Sequence, residues 1–281
     1  MAAVPKALQI YRFAGVSLGG GKTDKTAVAI LEYYPEQKRI FLRTLRDKIK
    51  GDPDVSADAR IHALFTEEEP NIHTIAFDVP LQVPKCLRCP LKCPGYEACK
   101  EPEIKYLWTL HKKRTAKKKP VKLFTPYTER CAESYIATEL EEVFHPQHAL
   151  GSNFAPLTAR AFFIRRRLGK KIAAVEVFPK LSLWRIGIDL KVQKTHLRNH
   201  KLAVGGDEAR LAILKALAER EICFVYQQDT KTMVDNSQAF DAFICALTAF
   251  LKFRGQCEKA PTGFPKQEPW IEFPTKTISW F

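Results

Sequence analysis

The stretch Ile10–Arg46, IYRFAGVSLGGGKTDKTAVAILEYYPEQKRIFLRTLR, decides the fold class. Residues 10–18 (IYRFAGVSL) are an apolar, β-rich run that enters a glycine turn at Gly19–Gly21. Residues 26–34 (TAVAILEYY) form a second such run, Pro35 and Glu36 signal a turn, and 38–46 (KRIFLRTLR) alternate in part. Runs of this length joined by short turns predict three antiparallel strands in a meander.

Working outward, Ser56 precedes Ile61, Leu64 and Phe65 at helical spacing and is the expected N-cap of a helix. NIHTIAFDVPL (71–81) predicts a buried strand stopped by Pro80. From residue 84 to 126 the character changes to cysteines, prolines and a basic run, the signature of an insertion or small subdomain. Helices are expected over 128–143, 156–168, 207–221 and 237–253, the last apolar enough to be buried. Short strands are expected at 173–179 and 222–227. The tail 258–281, with its prolines and tryptophans, predicts an irregular strap. Three opening strands followed by alternating helices and strands predict one α/β domain over 1–281, a mixed sheet with helices on its faces.

The 281 residues carry a formal charge of +14, with 46% hydrophobic and 27% charged residues. That composition excludes a disordered or fibrous chain and supplies material for a real core. No run approaches the ~18 apolar residues of a membrane span, and residues 1–13 lack the apolar core of a secretory signal. A cytoplasmic location without membrane contact is therefore expected. The positive surplus points to an anionic partner: nucleic acid, with DNA and RNA both open, acidic lipid or a phosphorylated substrate.

Cys86, Cys89, Cys93 and Cys99 fall within one loop, with Pro90, Pro94 and Gly95 to turn it. Four thiolates so close can surround one tetrahedral Zn²⁺; an iron–sulfur cluster takes the same four ligands. Cys131 could replace one of them, whereas Cys223 and Cys245 lie in apolar runs and are expected in the core. GGGKT (19–23) resembles a phosphate-binding loop, but that pattern requires a first glycine where Val16 stands and a following helix where a β-rich run stands. A hairpin turn is the better reading. His196 and His200 lack the glutamate of a zinc-protease helix and read as two exposed histidines. Lys112, Lys113, Arg114, Lys117, Lys118 and Lys119 form one basic run, and Arg165, Arg166 and Arg167 with Lys170 and Lys171 another. Both are candidates for phosphate contacts. Three carboxylates stand in apolar surroundings: Asp78 at the end of a strand, Glu176 inside AAVEVFP, and Asp241 on the apolar helix. Acids so placed are costly unless paired or bound to a cation.

Taken in order, FAGVSLGGGKTDKTAVAIL, IAFDVPL, CLRCPLKCPGYEAC, KLFTPYTERC, VEVFPKLSLWRIG and SQAFDAFICALTAF resemble the domain of unknown function 429 family, regarded as predicted nucleases of RNase H-like fold. The resemblance implies that fold: three antiparallel strands, a crossover helix, then parallel strands. It also implies a RuvC-like centre in which acids hold two Mg²⁺ or Mn²⁺ ions. By similarity Asp78 takes the fourth-strand role, Asp241 the second role of the helix pair, and Glu176 lines the same site. The first-strand acid is replaced by Ser17 and the other helix acid by Gln238. Asp24 is the one acid that could reach back from the hairpin. The implied function is a metal-dependent nuclease, with two replacements that would weaken its centre. Its alternatives are an inactive nucleic-acid-binding protein of the same fold and, more remotely, an ATP-using sugar-kinase-like protein.

Overall fold

The computed structural model describes residues 9–20, 25–117, 122–140, 144–146, 148–151, 153–169 and 172–281. The elements run β1 (Tyr11–Ser17), β2 (Ala27–Tyr34), β3 (Arg39–Arg46), α1 (Ala57–Ala63), β4 (Ile72–Phe77), α2 (Lys85–Arg88), α3 (Pro102–Lys117), α4 (Cys131–Glu139), α5 (Phe154–Leu168), β5 (Ala173–Val177), α6 (Pro179–Asp189), α7 (Lys194–Asn199), α8 (Gly206–Glu219), β6 (Cys223–Phe224), α9 (Gln227–Asp235), α10 (Ser237–Phe253) and β7 (Ile271–Glu272).

Period-two alternation sorts the strand residues onto two buried faces. Phe13, Ala27, Ala29, Leu31, Ala76, Val175 and Val177 enter one core with α10. Ala14, Val16, Val28, Ile30, Ile75 and Phe77 enter a second with Ile61 of α1 and Ala161 and Ile164 of α5. Both faces are covered, so the strands read as continuous apolar runs. The sheet has the order β6-β3-β2-β1-β4-β5-β7. β1, β2 and β3 are antiparallel, as the opening stretch predicts. β4 is parallel to β1, β5 to β4 and β7 to β5. This is a mixed α/β fold of antiparallel then parallel strands flanked by helices.

Ser56 caps α1 through its side chain, which accepts from the Ala59 N–H. Asn236 caps α10, accepting from the N–H groups of Gln238 and Ala239. Thirteen residues of α10 are buried, and Asp241 is the one charged group among them. The helix seats directly on β1 because Gly15 carries no side chain: a Cβ there would collide with the Ala242 carbonyl and the Ala246 amide. Phe240, Phe243, Ile244, Leu247, Phe250 and Leu251 then fill the α10 core, each contributing about 1.5–3 kcal/mol on burial.

The basic run at 112–117 lies on α3, a 16-residue helix within the 84–126 segment. Ile104, Leu107, Phe124 and Cys131 form a small core of their own there, with Cys86, Cys99, Tyr96 and Trp108 against it. The tail is not wholly a strap, since Ile271–Glu272 adds a parallel strand beside β5. The expected 222–227 strand shrinks to Cys223–Phe224, paired with the outer strand β3. Cys223 and Cys245 are buried, as expected. No helix among the described residues is long and apolar enough to cross a membrane.

Candidate functional site

β1, β4 and β5 run parallel, so their carboxyl ends meet at one edge of the sheet, where ligand crevices form in open α/β folds. Ser17 is the last residue of β1, and Asp78 follows β4 directly. Their strands are in register, Val16 beside Phe77, and the Asp78 N–H donates to the Val16 carbonyl at 3.1 Å. Ser17 Oγ donates to Asp78 Oδ2 at 2.7 Å, and the Leu18 N–H donates to Oδ1 at 2.8 Å. Burial pushes the Asp78 carboxyl up to about 6, against these two hydrogen bonds; Asp241 adds to the rise and Lys201 opposes it.

Asp241 stands one turn into α10, 1% exposed. Lys201 Nζ forms an ion pair with its Oδ2, and His200 Nε2 lies 3.6 Å from Oδ1. Beyond these two contacts, neither Asp241 oxygen has a hydrogen-bond partner among the described residues. Burial would raise this carboxyl, but Lys201 and His200 outweigh it and hold Asp241 below the usual carboxylate range. Lys201 was not foreseen from the sequence. His200 was read as exposed and is 1% exposed, against Asp241. The correction has a plain cause. His200 ends the short α7, and Arg210 of α8 donates to the His200 carbonyl and, through Nε at 2.8 Å, to the Val234 carbonyl just before α10. One buried guanidinium thus ties the 200–201 segment to the start of the helix that carries Asp241.

A cavity of about 330 Å³ opens at this strand edge, lined by Asp78, Glu176, Lys180, Lys201 and His145, among others. Phe178, Pro179 and Lys180 in its wall are the start of α6, whose first turn has no side-chain cap. That helix end presents partial positive charge.

Glu176 reaches the cavity wall but is already engaged. Val175 and Val177 belong to the α10 core, so Glu176 between them turns to the opposite face. Arg130 grips it with both terminal nitrogens, Nη1 to Oε2 at 2.8 Å, and the Leu81 N–H donates to Oε2 at 3.0 Å. Arg130 also pairs with Glu133 at 2.7 Å and is fully buried. Glu176 is thereby the anchor of the Asp78–Leu81 loop. Gln238 lines a separate groove with Lys25, Asp47 and Lys48. Asp24 lies outside the described residues.

On the periphery, Arg165, Arg166 and Arg167 are exposed in the last turn of α5. Arg165 Nη1 donates to the Leu81 carbonyl at 3.4 Å, which links this basic turn to the cavity loop. Lys112 and Lys113 are exposed on α3, Arg114 is half-buried, and Lys113 pairs with Glu139 at 3.1 Å. The Lys117 side chain, Lys118, Lys119, Lys170 and Lys171 lie outside the described residues, as do Gly21, Lys22 and Thr23. A strand follows the Gly19 turn, so the phosphate-loop pattern lacks its helix.

The four loop thiols carry no disulfide. Burial and the nearness of Cys99, Cys93 and Cys89 push the Cys86 thiol up to about 11. Among the described residues, no three His, Cys, Asp or Glu side chains converge in the manner of a metal site. Cys131 is buried with its Sγ 3.4 Å from the Glu103 carbonyl, and burial raises its thiol far above the usual range.

A family model described as "Protein of unknown function (DUF429)" matches residues 21–266. No curated protein and no solved structure matches the chain.

Proposed function

The chain belongs to the domain of unknown function 429 family, and from that premise we propose that it is a nucleic-acid-binding protein of RNase H-like fold in which the cleavage centre keeps Asp78 and Asp241, lacks two of its expected acids, and grips a phosphodiester instead. The observation that carries this reading is the set of side chains at the strand edge. Asp78 and Asp241 converge there, but Ser17 stands where the first-strand acid is expected, Gln238, at the position of the other helix acid, lines a separate groove, and an ammonium, Lys201, is paired with Asp241. Two divalent ions about 3.5–4 Å apart need several carboxylates. The donor set does not fit such a pair.

The residues that remain can do something simpler. Lys201 and Lys180 face the cavity as donors for non-bridging phosphate oxygens, and the uncapped start of α6 adds its dipole. Arg166 and Arg167 extend the positive path along α5. Such contacts fix a strand's position without reading its bases. Glu176 and Arg130 neutralise each other and hold the loop that ends at Leu81.

One observation favours a second reading, a divalent-metal-dependent nuclease: both Asp241 oxygens are buried without a directed hydrogen bond, so one cation could displace Lys201. Zn²⁺ or an iron–sulfur cluster in the Cys86–Cys99 loop would belong to either reading and requires the thiols to close further. Fluorescence anisotropy of labelled DNA and RNA, in EDTA and in Mg²⁺, tests the proposal. Salt-dependent binding that is equal in EDTA and Mg²⁺ is expected. Binding that requires the metal, or none to either polymer, overturns it.

A further inference from the structure

The cation already present at this edge has a consequence for what else can bind there. Lys201 sends its ammonium inward although its side chain is 54% exposed. A lysine so placed would ordinarily extend into water, because an ammonium is strongly hydrated. Here Nζ reaches past the surface to Asp241, a carboxylate 1% exposed, while also facing Asp78 across the cavity. The segment is not free to drift, since Arg210 holds the neighbouring His200 carbonyl. The placement is therefore built in.

We propose that Lys201 is a resident cation: its ammonium takes the position between Asp241 and Asp78 that a divalent ion would otherwise occupy, and so excludes that ion from the centre. Three features coincide in support. Position 17 offers a hydroxyl already donated to Asp78. Position 238 offers an amide that lines another groove. The remaining pair of carboxylates is matched by one fixed positive charge. An ion entering beside that ammonium would meet repulsion, whereas an anion such as a phosphate would meet a donor. The exclusion claim concerns cations alone and does not rest on the nucleic-acid reading.

The test is a calorimetric titration of the full chain with Mn²⁺, without nucleic acid, at pH 7.5. Mn²⁺ is hard and prefers carboxylates to the thiols of the Cys86–Cys99 loop. Lys201→Met is expected to bind one Mn²⁺ at least tenfold more tightly than wild type. Lys201→Arg should retain the wild-type behaviour, and Lys201→Met with Asp241→Asn should lose the gain. Lys201→Gln serves in place of Lys201→Met should that variant fail to fold, which its thermal melt will reveal. The proposal is overturned if a folded Lys201→Met or Lys201→Gln protein gains no affinity. It is equally overturned if wild type binds Mn²⁺ tightly and Asp241→Asn abolishes that binding.

Discussion

Ser17 Oγ and Asp78 Oδ2 lie 2.7 Å apart at the carboxyl ends of adjacent parallel strands, so the last residue of β1 hydrogen-bonds to the acid that follows β4. The serine quiets a carboxylate that burial makes costly. Folding raises the Asp78 pKa from 3.8 to about 6. A raised acid favours its protonated form in the folded state, so its ionisation detracts from stability above about pH 6. The penalty fades as pH falls below about 6 and is gone only below about pH 3, under the unfolded-state value of 3.8, where both states hold the proton. Asp78→Asn should therefore melt a few degrees higher than wild type at pH 7.5, a gain on the order of 2 kcal/mol. The difference should vanish by about pH 3. Melting curves across that range check it, and a destabilised Asp78→Asn protein at pH 7.5 would contradict it.

Glu176 should behave in the opposite way. Its carboxylate is one of two that hold the fully buried Arg130, so Glu176→Gln removes the bidentate ion pair and leaves that guanidinium with Glu133 alone. Breaking one side of a buried pair costs about 3–5 kcal/mol, and the remaining Glu133 partner holds this loss to the lower end, about 3 kcal/mol. Denaturant unfolding of this variant should show a loss of that size, with the Asp78 variant as the contrasting control.

Much of this arrangement was legible in the sequence, for identifiable reasons. The opening meander was readable because apolar runs were separated by strong turn signals, and α10 because its apolar residues persist over 237–253. Asp78 and Asp241 were readable as acids in apolar surroundings. Glu176 was readable as buried but not in its role: the alternation of Val175 and Val177 assigns its face, yet its partner Arg130 is 46 residues away. Lys201 and His200 were illegible for the same reason. They stand in a polar, irregular segment whose position is set by Arg210, a contact between elements rather than a local pattern. The 16-residue α3 was obscured by its charge and by the proline-rich loop before it.

Gly15 makes the closeness of Asp241 to β1 possible. Gly15→Ala places a methyl group inside the backbone of α10 at Ala242, and overpacking of this kind costs about 1–3 kcal/mol or more. The variant should melt lower than wild type, and because α10 must lift, its oligonucleotide affinity should change as well. A Gly15→Ala protein of wild-type stability would place α10 elsewhere.

The basic turn of α5 predicts a salt effect. Replacing Arg166 and Arg167 by Gln should weaken binding to every sequence alike and reduce the slope of log affinity against log salt by roughly 0.7–0.9 per charge removed. Anisotropy titrations at several salt concentrations measure it. An unchanged slope would make this turn a merely solvated face.

The loop thiols give a chemical prediction. Freshly purified protein should contain close to one zinc per chain, and Cys89→Ser should release it while loosening the 84–126 segment more than the sheet, because binding free energy here is folding free energy. Elemental analysis with thiol titration decides it; four freely reactive thiols and no metal would refute it.

The central claim, a strand-edge site that binds phosphodiester without cleaving it, is tested most directly by a time course of labelled single-stranded DNA and RNA with wild-type protein in Mn²⁺, with EDTA as the blank. The account predicts bound but intact polymer, and cleavage only when Ser17→Asp and Lys201→Met are combined. Mn²⁺-dependent cleavage by wild type that Asp78→Asn abolishes would contradict it.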